Sequence, residues 1–211
     1  MTGSPFVLPY TRAVVFAAVM RDKYVGFGLP RPGVALELLL GGYRGLFFWS
    51  PILIFCLPGF AMLRRQSGRL FWLAVAVPVA MVAVMSGYPY WHGGWALGPR
   101  LLAPAVPFLA VAAGVGLAWR PRIAACVGAA SVLLVSLATF VDAMPSDAVL
   151  RPLDDIYLPK IVAGDLTMNL GRLIGLRGWW SAVPFFAVVG AAVATIVVCT
   201  GPRSESASGL A

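Results

Sequence analysis

Five long apolar runs without a charged residue constrain the fold of this 211-residue chain more than any other feature. A helix needs about 20 residues to cross the roughly 30 Å hydrocarbon core of a bilayer. Lipid cannot hydrogen-bond an open backbone, so helices are the structure expected for such runs. The sequence therefore predicts an all-α membrane protein with about five transmembrane helices. The predicted spans are Leu46–Leu63, Leu70–Met85, Leu101–Trp119, Ile123–Val141 and Ala182–Thr200.

Composition agrees with this class. Hydrophobic residues make up 60% of the chain and charged residues 11%, which excludes an ordinary water-soluble domain. The net charge of +8 comes from basic residues scattered between the apolar runs, so it indicates membrane lipids, not nucleic acid, as partners. Cys56, Cys126 and Cys199 each lie inside a separate run without metal-ligand spacing. We therefore predict no disulfide framework, no metal site and no cofactor.

The short basic connections predict the orientation. Arg64, Arg65 and Arg69 lie between the first two spans, and Arg120 and Arg122 lie between the third and fourth, with no acidic residue in either connection. The positive-inside rule places both connections in the cytoplasm. We therefore expect a multi-pass protein of the cytoplasmic (inner) membrane, with its N-terminus outside and its C-terminus inside.

This orientation divides the chain into five parts. We predict an outer interfacial segment at 1–45, four transmembrane helices at 46–141 with an outer loop at 86–100, an outer amphipathic loop at 142–181, a fifth transmembrane helix at 182–200 and a cytoplasmic tail at 201–211. Tyr10–Met20 and Val34–Leu40 are apolar but too short to span, so we expect interfacial helices there. The outer N-terminus has no leader pattern. We therefore expect that upstream helices are missing from the chain.

The outer loop between the second and third spans contains the only histidine of the chain, in Trp91-His-Gly-Gly-Trp-Ala-Leu-Gly-Pro-Arg100. Arg100 begins a span, where its guanidinium suits phosphate oxygens. Trp91 and Trp95 could stack on a sugar or an isoprenoid, and His92 could donate to phosphate or transfer a proton. The alternative is that Arg100 anchors the topology and that the tryptophans are ordinary interfacial residues.

Arg44 has the same character, because it lies among glycines directly before the first span, in Gly41-Gly-Tyr-Arg-Gly-Leu-Phe-Phe-Trp49. Two arginines on one face of the membrane predict a site that binds a phosphate or diphosphate between them. The alternative is that Arg44 only anchors the helix at the interface, next to glycines that allow close helix packing. Asp154-Asp155 is the only adjacent carboxylate pair, and it fits a helix N-terminus better than a metal site or a general base. No residue of the chain is assigned a catalytic role.

Three motifs in a fixed order resemble a known class of enzyme. They are Gly3-Ser-Pro5 with Tyr10, then Tyr43-Arg-Gly-Leu-Phe-Phe-Trp-Ser-Pro51, then Trp91–Arg100 followed by Leu-Leu with Pro104 and Pro107. Over roughly residues 3–118 the chain resembles the C-terminal part of bacterial polytopic glycosyltransferases of the GT-C class, the relatives of protein O-mannosyltransferases and aminoarabinose transferases. The resemblance implies a polyprenyl-phosphate-linked sugar as substrate at the outer face. It also implies that Arg44 and Arg100 hold the carrier phosphate, with His92 and Trp95 lining the site.

The resemblance also implies an absence. The catalytic acid of that class lies in the first outer loop of the N-terminal half, and no residue here matches it. We therefore expect a carrier-binding C-terminal half that is inactive alone and whose partner is a separate N-terminal half or another membrane subunit. Two other classes stay open. One is a transporter of anionic lipids. The argument against it is that none of the predicted spans has an ionisable residue in its middle, where transport pathways commonly have one. The other is a non-catalytic structural subunit.

Overall fold

The computed structural model describes residues 27–167 and 169–200. All regular secondary structure within these ranges is helical. The predicted interfacial helix at Tyr10–Met20 and the tail at 201–211 lie outside the described residues. The α-helices are α1 (Pro32–Leu40), α2 (Leu46–Trp49), α3 (Cys56–Gln66), α4 (Gly68–Gly87), α5 (Val106–Leu117), α6 (Pro121–Asp142), α7 (Leu158–Ala163), α8 (Leu170–Leu173) and α9 (Val183–Thr200).

Three helical segments are long and apolar enough to cross a bilayer: Gly68–Gly87, Arg100–Leu117 and Pro121–Asp142. They coincide with the second, third and fourth predicted spans. The segment Arg100–Leu117 begins with a 3-10 turn, Arg100–Ala105, that continues into α5. The described chain is thus all-helical and has three helices suited to a membrane, as the apolar runs predict. The fifth predicted span corresponds to α9, and the full set of five spans stays a prediction.

The first predicted span is not one continuous helix, which corrects the sequence analysis. Helix α2 ends at Trp49, and Ser50 has φ −134° and ψ 68°, outside the helical region. A 3-10 turn, Pro51–Phe55, then leads into α3. The cause is Pro51, because a proline ring disfavours the α conformation of the residue before it and supplies no N–H. Of the four helices predicted within 46–141, three are therefore present as single long segments.

Helices α3 and α5 form the closest contact in the interior. A Cβ atom added to Gly59 would lie 1.8 Å from the carbonyl oxygen of Ala112, and one added to Gly116 would lie 1.9 Å from that of Phe55. Only glycine permits this approach, which is the way small residues let membrane helices pack backbone to backbone. Helix α4 packs against both, and α6 packs mainly against the 3-10 turn Pro51–Phe55.

Three connections, residues 41–45, 88–99 and 143–152, meet at one end of the molecule. We call residues 88–99, which join α4 to the Arg100–Ala105 turn, the glycine loop. Residues 143–152 follow α6 and lead to a π-helical turn at Leu153–Tyr157, the short helices α7 and α8, and a 3-10 turn at Gly178–Ala182. A second buried apolar cluster, which includes Trp49, Phe140 and Tyr157, joins α2, α6 and this segment. The site predicted from the sequence lies at this end.

Candidate functional site

Arg44 is held in the turn between α1 and α2 and reaches the glycine loop. A Cβ atom on Gly45 would lie 2.3 Å from the carbonyl oxygen of Gly41, so the turn is too tight for a side chain there. The turn directs Arg44 into the molecule, where its Nη2 donates to the carbonyl oxygen of Gly94 over 2.9 Å. The bond joins two segments that are 50 residues apart in the chain.

The guanidinium of Arg44 is buried and forms no ion pair within the described part of the chain, although Asp147 is near enough to interact with it electrostatically. Arg44 is only 1% exposed, and its Nε has no hydrogen-bond partner in the described part of the chain. None of the ion pairs found among the described residues includes Arg44, and the guanidinium stacks 4.5 Å from the ring centroid of Tyr43. Burying a cation without a counter-charge is unfavourable. The surroundings of Arg44 are therefore suited to a negatively charged ligand.

Arg100 adjoins the same part of the glycine loop but is exposed. A Cβ atom on Gly93 would lie 3.1 Å from Cγ of Arg100, and one on Gly94 would lie 3.7 Å from its Nη2. Both glycines have positive φ, 72° and 73°, a conformation that side chains disfavour. The structure therefore brings the two predicted arginines together at Gly94, one buried and bonded to its carbonyl, the other beside it at the surface.

His92 is fixed by the backbone of the same turn. Its Nδ1 accepts a hydrogen bond from the N–H of Gly94 over 3.2 Å and lies 3.9 Å from Oδ2 of Asp147. An accepting Nδ1 places the proton of the neutral ring on Nε2. Partial burial lowers the pKa of His92 below its ordinary value; Arg44 acts in the same direction, and Asp147 opposes both. His92 is therefore neutral near pH 7 and offers its Nε2–H as a donor.

The structure separates the two predicted tryptophans. Trp91 is half-buried, and its ring stands edge-on to that of Tyr43 with the centroids 5.9 Å apart. Trp95 is 60% exposed. Trp91 therefore packs against the turn that carries Arg44, whereas Trp95 presents its ring to the surroundings, where a ligand could stack on it.

Asp147 is a member of the site that the sequence analysis missed. Its Oδ2 accepts from the hydroxyl of Tyr90 over 2.8 Å, and its backbone oxygen accepts from the hydroxyl of Tyr43 over 2.7 Å. The bond from Tyr90 is the main reason why the pKa of Asp147 is lowered, and the same bond raises the pKa of Tyr90. Asp147 belongs to no motif and lies 104 residues after Tyr43, so no local pattern could have indicated it.

An apolar cavity of about 480 Å³ lies between α1, α3, α4 and α5, and the site residues themselves are not part of its lining. Leu46 and Phe47, which closely follow Arg44, line it, as do Leu102 and Ala105, which closely follow Arg100. Both arginines are thus attached to elements whose next turn lines the cavity. A molecule with an anionic head and an apolar chain fits this arrangement.

The described residues contain no group of three or more histidines, cysteines, aspartates or glutamates that could hold a metal ion. No family model, no curated protein and no solved structure matches this chain. The comparisons therefore assign it neither a family nor an activity.

Proposed function

We propose that this chain is the carrier-binding part of a membrane glycosyltransferase. In this proposal it holds the phosphate of a polyprenyl-phosphate-linked sugar at the outer face of the cytoplasmic membrane. The observation that supports the proposal most directly is the buried guanidinium of Arg44, which forms no ion pair with any acid that the structure describes and bonds to Gly94, beside which Arg100 also lies.

The two arginines have different roles in this proposal. Arg44 is only 1% exposed, so it acts through its charge from beneath the turn, in surroundings where charge is poorly screened. Arg100 is exposed and presents its fork of N–H donors, which matches phosphate oxygens. Together they stabilise the negative charge that develops on the lipid phosphate as the sugar departs.

The apolar cavity has a role in the same proposal. Its volume of about 480 Å³ lies in the range of ordinary ligand pockets, about 300–1,000 Å³. It accommodates the first part of the isoprenoid chain, while the exposed ring of Trp95 is available to stack on the sugar. The carboxylate that deprotonates the acceptor comes from a separate N-terminal half, so this chain binds the donor and does not catalyse transfer alone.

Direct binding tests the proposal. The protein, reconstituted in phosphatidylcholine nanodiscs, is titrated with a short-chain polyprenyl-phosphate mannose. We expect Arg100→Ala to weaken binding about 10-fold or more, because a charge-assisted hydrogen bond contributes about 1.5–3 kcal/mol. We expect Arg44→Ala to weaken it at least as much, because the variant loses the buried charge and the bond to Gly94. Arg177→Ala, an exposed arginine of the segment 153–182, is the matched control and should bind as the wild type does.

Two outcomes would contradict the proposal. Equal binding by the wild type and both site variants would show that neither arginine holds the phosphate. Equal competition by phosphatidylglycerol would show a site for lipid phosphate in general, which fits a transporter of anionic lipids or a structural subunit better than a transferase.

A further inference from the structure

Asp147 connects three segments of the site. It lies in the connection 143–152 and accepts hydrogen bonds from Tyr43, in the turn between α1 and α2, and from Tyr90, in the glycine loop. Apart from these bonds, the turn that carries Arg44 and the loop that carries His92 are joined by the bond between Arg44 and Gly94. Asp147 therefore helps to fix the relative position of the two parts of the site.

Two groups face the same nitrogen of His92. The N–H of Gly94 donates to Nδ1, and Oδ2 of Asp147 lies 3.9 Å from that atom. The first contact requires an unprotonated Nδ1, whereas the second becomes a hydrogen bond only when Nδ1 carries a proton. A shift of about 1 Å would bring the ring from 3.9 Å to hydrogen-bond distance. His92 thus has one partner for its neutral form and another for its imidazolium form.

The charges around His92 decide which form is present. Arg44 disfavours the imidazolium from the turn between α1 and α2, and Asp147 favours it from the connection 143–152. Tyr43 and Tyr90 face the ring from the same turn and from the glycine loop, and Arg100 directly follows that loop. A phosphate bound between the arginines would offset their charge, so protonation of His92 would become more favourable.

We infer that Asp147 is a positioning residue of the phosphate site, which orients His92 and stabilises its imidazolium when an anion binds beside Nε2. This inference rests on the proposed function. In the anion-bound site, His92 takes up one proton from solvent at Nδ1 and donates it in a hydrogen bond to Asp147. Nε2–H faces the phosphate, and the N–H of Gly94 is released from the ring. Anion binding and proton uptake are therefore coupled.

The chain is well suited to a test, because His92 is its only histidine. The imidazole NMR signals of the full chain in nanodiscs therefore report this residue alone. The probe is a dialkyl phosphate, whose single charge does not change over the pH range used. We expect the probe to raise the pKa of His92 in the wild type. We also expect its affinity to increase about threefold or more as the pH falls from about 7.5 to about 5.5.

Asp147→Asn separates the charge from the hydrogen bond, because the amide oxygen still accepts from Tyr90. In this variant we expect a lower pKa of His92 without the probe and a much smaller rise with it. Asp155→Asn removes an exposed acid of the neighbouring turn and should behave as the wild type does. His92→Gln should bind the probe with an affinity that does not depend on pH. This variant tests the coupling of anion binding to protonation of His92, on which the role of Asp147 depends, even if Asp147→Asn fails to fold.

The outcomes distinguish the inference from the proposed function. If the wild type does not bind the probe at any pH, the phosphate site itself is wrong. If it binds in a way that depends on Arg44 and Arg100 but not on pH, or if Asp147→Asn titrates as the wild type does, the phosphate site stands and the role of Asp147 is wrong.

Discussion

The contact between α3 and α5 and the site around Arg44 are both well buried, yet opposite forces shape them. In the helix pair, Gly59 and Gly116 bring two backbones together, and stability comes from dense apolar packing. At the site, a buried guanidinium has one hydrogen bond to a carbonyl and forms no ion pair with an acid of the described residues. Burial alone therefore does not reveal what a region does. Burial in the helix pair stabilises the fold, whereas burial of the Arg44 guanidinium leaves a positive charge that no bonded anion compensates in the described structure.

Proteins commonly accept such a local cost where they bind a ligand. If that explanation holds here, substitutions in the two regions should have opposite signatures. Changes in the helix pair should lower stability without a specific effect on binding, and changes at Arg44 should weaken binding without lowering stability.

The largest effect is expected from Gly116→Leu. Its side chain would have to displace the backbone at Phe55, the last residue before α3, so we expect the free energy of unfolding in detergent to fall by about 3 kcal/mol. Gly114→Leu is the matched control on the same helix, because nothing lies within 4 Å of a Cβ atom there. A loss of stability in Gly114→Leu as large as that in Gly116→Leu would contradict the close contact.

A smaller effect of opposite sign is expected from Arg44→Met. Replacing a buried charge by an apolar side chain of similar length should raise the free energy of unfolding of the lipid-free protein by about 1 kcal/mol, although the carbonyl of Gly94 loses its donor. Arg100→Met alters an exposed residue and should change stability by less than about 0.5 kcal/mol. A clear loss of stability in Arg44→Met, measured by thermal unfolding, would mean that Arg44 is structural, and the comparison would fail.

The smallest effect concerns pH. Without a bound anion, the pKa of His92 in the folded protein is below its ordinary value of 6.5, so the unfolded chain takes up its proton first as the pH falls. This contribution to stability is present above about pH 6.5 and is lost as the pH falls toward the pKa of the folded state. The lowered pKa of Asp147 affects the stability only at pH values near and below the ordinary value of 3.8. Thermal unfolding between about pH 7.5 and about pH 5.5 should therefore show a decline that His92→Gln reduces.

An increase in stability over the same pH interval would contradict the lowered pKa of His92. Adding the dialkyl phosphate offers a sharper comparison, because the bound anion should reduce or reverse the decline in the wild type and leave the pH dependence of His92→Gln unchanged.

The sequence predicted the parts of the fold that depend on run length. Three of the apolar runs form helices long enough to span a bilayer, because hydrophobicity over about 20 residues dominates such segments. The interruption at Ser50 was not predicted, although Pro51 is its cause, since proline within a membrane helix is compatible with both a kink and a break. The length of an apolar run does not show whether its proline kinks or breaks the helix, because that depends on how the neighbouring helices pack against it.

The grouping of the candidate residues was predicted in part for a similar reason. Arg44 and Arg100 each begin an apolar run, so the sequence indicated that they share one face, and the structure places both at Gly94. The burial of Arg44 and the contacts of Asp147 depend on tertiary structure. Asp147 lies 57 residues after Tyr90, in a connection without a motif. Pairs that are so far apart in the chain become visible only when the helices are assembled.

The placement of α6 also has a consequence for biogenesis. Its main partner, the turn Pro51–Phe55, precedes it in the chain by more than two helices. Because ribosomal synthesis proceeds from the N-terminus, the surface that receives α6 is complete before α6 emerges. The turn Pro51–Phe55, packed against α5, can therefore assemble with α3, α4 and α5 first and serve as the template on which the later helix docks.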